Sequence, residues 1–220
     1  MRAPLGHFGH AMPAPDCLGE LIRPVADAVR DWRGSIPADQ IVYVDTDPEW
    51  ADTATFVEHY GQELLDQSAN CVVVAGRRGG DTTLAACVVL STTRVDVNGA
   101  VRRQLGARKA SFAPMDAALA ACVVLSTTRV DVNGAVRRQL GARKASFAPM
   151  DAATGETGME YGGITPLGLP GDWPVLVDSA VVELPYVLVG SGRRRGKLLV
   201  PGKVFAELPN VVVLEGLGIA

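Results

Sequence analysis

Two apolar rhythms run through this chain, and they predict a mixture of helices and short strands. Over 21–32, Leu21, Ile22, Val25, Ala28 and Val29 fall on one helical stripe, with Arg and Asp on the other face. Ile41-Val42-Tyr43-Val44 reads as a short strand. Asp45-Thr46-Asp47-Pro48 then offers a cap and a turn, which predicts a helix from about 49 to 60 that stops at Gly61. The run 71–75 predicts a strand, and Gly76-Arg77-Arg78-Gly79-Gly80-Asp81 folds it back on 84–90 as a hairpin. Strands are also expected over 175–178, 186–189, 197–200 and 211–214, with a short helix over 204–208. Residues 1–20, rich in Pro, Gly and Ala, read as an irregular arm. Many short strands with a few helices between them indicate an α+β fold with a mixed sheet or open barrel.

One feature breaks the ordinary pattern. Residues 84–118 and 119–153 are identical, position for position, and each copy reads LAACVVLSTTRVDVNGAVRRQLGARKASFAPMDAA. Solenoid repeats drift while keeping a pattern, and stable arrays need about three units. Two perfect copies instead resemble a tandem duplication. Copy one reads as a strand over 86–90, a helix over about 96–105 and a strand over 108–112, with equivalents 35 residues later. A fold that uses one copy has two candidates for one slot. Copy two leads directly into the following loop, so it is expected to fill the slot, with copy one inserted at a hairpin tip. Lengthening that loop about five-fold costs only about 1.4 kcal/mol in closure entropy. The spare apolar strand must then dock, aggregate or support an oligomer.

The stretch 158–174, GMEYGGITPLGLPGDWP, is too rich in Gly and Pro for a helix interior or a central strand. Ile164, Leu167, Leu169 and Trp173 are residues that a disordered tract seldom carries. An ordered loop lining a small-ligand pocket is the functional reading, and a plain connector is the bland one.

Composition narrows the field. The chain has 220 residues, 48% of them hydrophobic, with a net charge of −3. A single soluble globular domain with a short appendage fits. The charge gives no general attraction to nucleic acid or anionic membrane, so such a partner needs a local basic patch. No apolar run reaches a membrane-spanning length, and no signal-peptide pattern opens the chain. Cys17, Cys71, Cys87 and Cys122 have no CxxC spacing, which suits reduced thiols in the cytoplasm. His7, His10 and His59 are the only histidines. His7 and His10 could share an ion, but a solvated tail accounts for them, so no metal or cofactor is expected.

With these residues in order, the chain resembles the YbaK/EbsC family, the aminoacyl-tRNA deacylase-like proteins related to the editing domain of some prolyl-tRNA synthetases. The resemblance rests on Cys71-Val72-Val73-Val74, the Arg-Lys-Ala-Ser-Phe strand, Thr157 through Gly168 with its Gly-Gly-Ile-Thr-Pro-Leu-Gly core, Pro174 through Asp178, and Gly190-Ser191-Gly192. It covers about 50–216 once one repeat copy is set aside. It implies an α+β domain over 48–220 with a mixed, barrel-like sheet flanked by helices, and an arm and helix over 1–47. The repeat would add one extra strand-helix-strand unit.

The family also implies hydrolysis of the ester joining an amino acid to the 3′ end of tRNA, acting in trans on mischarged aminoacyl-tRNA. Backbone groups of Gly162 and Gly163 would face the ester, with Ile164, Thr165, Pro166, Tyr161, Gly190 and Ser191 around the substrate. The family's lysine falls on Asn70, which can donate a hydrogen bond but carries no charge. Its serine falls on Gly190, with Ser191 beside it, and its later acidic residue falls near Lys197.

Other constellations have two readings each. Arg102, Arg103, Arg108 and Lys109, their copies Arg137, Arg138, Arg143 and Lys144, and Arg193, Arg194, Arg195 and Lys197 could form a tRNA phosphate patch or ordinary solvated faces. Glu160 and Asp178 could act as an acid/base pair, though capping and turn roles fit better. Cys71 has no histidine partner in view, so burial in a strand is expected rather than nucleophilic chemistry. Two functions therefore stand. One is a hydrolase, and the other is a module that binds an aminoacyl-tRNA end or nucleotide without turnover.

Overall fold

In a computed structural model, residues 1–51, 53–78, 81–90, 121–122, 129–130, 144–147, 150–215 and 217–219 are described. In chain order the strands are β1 (Ala11–Pro13), β2 (Val42–Val44), β3 (Ala69–Arg78), β4 (Asp81–Leu90), β5 (Ala121–Cys122) and β6 (Arg129–Val130). They continue with β7 (Lys144–Phe147), β8 (Val175–Asp178), β9 (Val187–Gly190), β10 (Lys197–Val200), β11 (Val211–Leu214) and β12 (Gly218–Ile219). The α-helices are α1 (Arg23–Arg30), α2 (Thr53–Tyr60), α3 (Leu64–Gln67), α4 (Met150–Thr157) and α5 (Ser179–Glu183). Among the described residues, no helix is long and apolar enough to cross a membrane.

The strands form an antiparallel sheet in the order β1-β2-β10-β9 and a mixed sheet in the order β11-β8-β4-β3, with β5 and β7 both on the far side of β3. β8 runs parallel to both β4 and β11. A small β12-β6 pair completes the described pairings. The α+β expectation with a mixed sheet is met. Closure of that sheet into a barrel is not among the described pairings.

Alternation along the first sheet explains its burial. Val42, Val44, Leu188 and Leu199 turn to one face, where Phe56, Val57 and Tyr60 of α2 and Leu64 of α3 cover them. Tyr43, Val187, Val189, Leu198 and Val200 turn to the other, towards Val25, Ala26 and Val29 of α1. Covered on both faces, these strands can be almost continuously apolar. Each fully buried Leu or Val contributes roughly 1.5–3 kcal/mol. Leu167 and Trp173, from the Gly-rich stretch, belong to the α1 side of this core.

Several boundaries differ from the sequence reading. Within the stretch expected to be irregular, β1 pairs with β2 and a 3₁₀ turn covers Ala14–Glu20. The helix expected over 49–60 begins as a separate 3₁₀ turn, Pro48–Trp50, capped by the Asp47 carboxylate on the Glu49 N–H. The hairpin is longer than expected, with β3 and β4 in register from Ala69↔Leu90 to Arg78↔Asp81. The helix expected over 204–208 is a 3₁₀ turn, Gly202–Glu207.

The repeat behaves differently from the expectation that copy two alone fills the slot. Residues 84–90 of copy one lie in β4, between β3 and β8. Residues 144–147 of copy two form β7 and pair with Val74–Arg77 of β3. Residues 121–122 of copy two, in β5, pair with β3 as well, so both copies supply strands to the same sheet. The physical reason is sequence continuity, because residues 84–90 of copy one continue the strand that starts at Asp81 and copy two precedes the Gly-rich loop. The expected helix over about 96–105 and strand over 108–112 lie outside the described residues.

Candidate functional site

The Gly-rich stretch leaves α4 through Gly158 and turns sharply at 160–163. The Gly163 N–H donates to the Glu160 carbonyl at 2.9 Å, which closes a β-turn. Gly162, its third residue, has φ of 78°, the left-handed value that a type II turn requires there. Space beside Gly162 is open, whereas a Cβ on Gly163 would collide with the Arg193 backbone. The two glycines therefore do different work. Gly162 makes the turn and faces outward, and Gly163 lets two backbones meet.

The partner backbone is the turn joining β9 to β10. The Gly192 N–H donates to the Gly163 carbonyl at 2.8 Å, and the Glu160 N–H donates to the Gly192 carbonyl at 2.8 Å. The Glu160 carboxylate accepts from the Arg194 N–H at 2.7 Å. Gly190 admits the Gly163 carbonyl, which a side chain at 190 would block. Ser191 is fully buried, and its hydroxyl lies 3.0–3.3 Å from the carbonyls of Arg193, Arg195 and Gly196. It staples its own turn. Arg195 forms a two-point pair with Asp45 at 2.7 and 2.8 Å, which holds the Asp45 carboxyl below its usual pKa.

Lys197, the first residue of β10, brings a cation to this place. It pairs in register with Val44 and Gly190, and its ammonium donates to the Gly162 carbonyl at 3.3 Å. The side chain is half-buried. Desolvation pulls its pKa from 10.5 down to about 8, and the nearby Arg194 charge adds to the fall. Among the described residues no carboxylate lies within ion-pair distance of it. Sequence reasoning placed Lys197 in a diffuse basic set and near the position of the family's later acidic residue, without a role of its own. The available signal was a lysine opening an otherwise apolar strand, immediately after a Gly-rich turn.

The sequence-selected residues divide by exposure. Tyr161 is 58% exposed and Gly162 is exposed, so they offer the surface that a ligand can reach. Ile164 is half-buried and packs against the core. Thr165 and Pro166 are buried, and the Thr165 hydroxyl has no hydrogen-bond partner among the described residues. Asn70 sits on β3 opposite Val89, and its side chain lies outside the described residues. So do Arg102, Arg103, Arg108, Lys109, Arg137, Arg138 and Arg143. Asp178 caps α5 through the Ala180 N–H at 2.9 Å, in keeping with its expected capping role. Burial pushes the Cys71 thiol well above its usual pKa, which leaves it a poor nucleophile. Among the described residues no cluster of His, Cys, Asp or Glu could hold a metal ion.

A cavity of about 560 Å³ opens on the other half of the loop, between Pro166–Pro170, Trp32, Val175 and Leu208. Leu167 and Leu169 of the loop line it, but of the residues expected around the substrate Pro166 alone does, so the cavity and the Tyr161–Gly162 face are separate places.

Residues 115–208, which take in all of copy two and the Gly-rich loop, match the aminoacyl-tRNA editing domain family. No curated protein matches the chain. Among solved structures, one described as a candidate trans-editing enzyme for prolyl-tRNA synthetase is similar at 17% identity and a TM-score of 0.56. The likeness covers 88% of this chain and 94% of that one. A scaffold protein from the computational grafting of linear epitopes is similar at 18% identity and a TM-score of 0.56, with the same coverage. At these identities the likeness is one of fold.

Proposed function

We propose that this chain is an aminoacyl-tRNA editing protein, a cytoplasmic hydrolase that cleaves the ester of mischarged aminoacyl-tRNA in trans. The observation that carries the reading is the Glu160–Gly163 turn, set against the β9–β10 turn inside the segment that matches the editing domain family. In this reading the 3′ end of the RNA lies against Tyr161 and Gly162. Water attacks the ester carbonyl carbon, the bond to the ribose oxygen breaks, and that oxygen leaves with a proton as a hydroxyl. A hydroxyl of the RNA itself assists the attacking water.

The geometry refines which groups can serve. The Gly163 N–H is already used within the turn, so it does not point at an ester. The Gly162 N–H has no acceptor among the described residues, which makes it a donor that can meet charge developing on the carbonyl oxygen. Asn70 in place of the family's lysine favours a second reading, in which the site holds an aminoacyl-tRNA end without turning it over.

Incubation with a panel of mischarged tRNAs separates the two. Release of free amino acid above the spontaneous rate is expected for at least one pairing. Stoichiometric binding with no release from any of them would replace the hydrolase with the binder.

A further inference from the structure

We infer that Lys197, with Arg194 beside it, forms an anion seat for a phosphate of the ligand, namely the phosphodiester next to the ribose that bears the ester. This inference rests on the editing reading for the identity of the ligand, but its chemistry stands on the cation itself.

A half-buried ammonium is normally matched by a carboxylate, because taking it out of water without a counter-charge is unfavourable. Among the described residues Lys197 has only the neutral Gly162 carbonyl, at 3.3 Å. The neighbouring acids are engaged elsewhere. Glu160 accepts the Arg194 N–H, and Asp45 holds the Arg195 guanidinium. The charge nearest in effect to Lys197 is another cation, Arg194. Strand register fixes the lysine's backbone between Val44 and Gly190, so its flexible stem starts beside the turn. Positive charge without a described counter-ion, held beside an exposed backbone turn, describes a place built to receive an anion.

The chemistry of the ligand selects which anion. An aminoacyl ester has no free carboxylate, and its amino group is a cation. The anions it offers are the phosphates of the RNA. Because Lys197 touches the carbonyl of Gly162, a phosphate bound there sits at the Tyr161–Gly162 face and fixes the adjacent ribose against the turn. Binding and protonation must then be reciprocal. An anion that prefers the charged lysine restores the proton affinity that burial and Arg194 remove.

The test uses an uncharged RNA minihelix ending in CCA, which carries no ester and so does not depend on hydrolysis. Lys197→Met is expected to weaken its binding about tenfold and to lower the salt dependence by about one released ion, while Lys197→Arg keeps both. In the unsubstituted protein, with lysines reductively methylated with ¹³C, the Lys197 resonance is identified by its loss in Lys197→Arg. Its titration midpoint should rise when the minihelix is added. Unchanged affinity and salt slope in Lys197→Met, or a midpoint that does not move at saturating RNA, would overturn the inference. If these shifts appear while no mischarged tRNA is hydrolysed, the anion seat stands and the hydrolase reading falls; hydrolysis without them gives the reverse.

Discussion

The two halves of the Gly-rich loop are held by different physics. Residues 158–164 are tied by backbone hydrogen bonds and the Glu160 contact to the β9–β10 turn, which Ser191 braces internally, and they keep an exposed face. Residues 165–174 are held by apolar burial instead, with Leu167 1% and Trp173 4% exposed against α1 and its surroundings. Directional bonds fix where a turn's carbonyls and N–H groups point. Burial fixes where a chain sits without specifying its polar groups. The front half is thus suited to presenting backbone to a ligand, and the back half anchors it.

Substitutions that separate anchoring from presentation should split the two halves. Leu167→Ala empties a fully buried site, and a loss of about 3 kcal/mol is expected in denaturant unfolding, with ligand binding at saturation retained. Gly163→Ala is next. Its Cβ meets the Arg193 backbone, so a loss of roughly 1–3 kcal/mol is expected together with loss of the turn's function. Gly162→Ala meets open space and carries only the strain of positive φ, about 1 kcal/mol, so binding should largely survive. Equal effects at 162 and 163, read by calorimetry and RNA binding, would erase the distinction between the two glycines.

Near neutral pH the smallest expected effect is in pH dependence, which opens only above about pH 8. Because Lys197 is depressed to about 8 in the fold and sits near 10.5 when exposed, the unfolded chain binds more protons between those values. Folding stability contributed by this group therefore rises from about pH 8 to 10.5, while RNA affinity falls as the charge is lost. Lys197→Arg should flatten both trends, as followed by unfolding midpoints and binding isotherms across that window.

Much of the scaffold was legible from apolar rhythm, since Val42–Val44, Val175–Asp178 and Lys197–Val200 are short runs that a buried strand explains, and Val211–Leu214 follows the same rhythm at a more exposed position. The Gly-rich loop was legible as an ordered element because it carries Leu167 and Trp173. The roles inside the site were less so. Nothing local marks Ser191 as a staple rather than a ligand contact, because its three carbonyl neighbours come from the turn's three-dimensional path. Gly162 and Gly163 look alike in sequence and differ only through what stands beside them. Lys197 was hidden because desolvation is a property of its neighbours and not of its residue type.

The shared use of the repeat has a temporal consequence. Removing any 35 consecutive residues that start between 84 and 119 leaves the same molecule, so the extra unit has no address in the sequence. Its position must be decided while the chain folds. Ala86-Cys87 and Ala121-Cys122 are the same dipeptide, and they flank β3 on opposite sides. During synthesis copy one emerges about two to seven seconds before copy two, at roughly 5–20 residues per second. A hairpin closes in about 1–10 microseconds. The strand made first can therefore pair with β3 long before its twin exists, so order of synthesis and the short β3–β4 connection favour the same outcome.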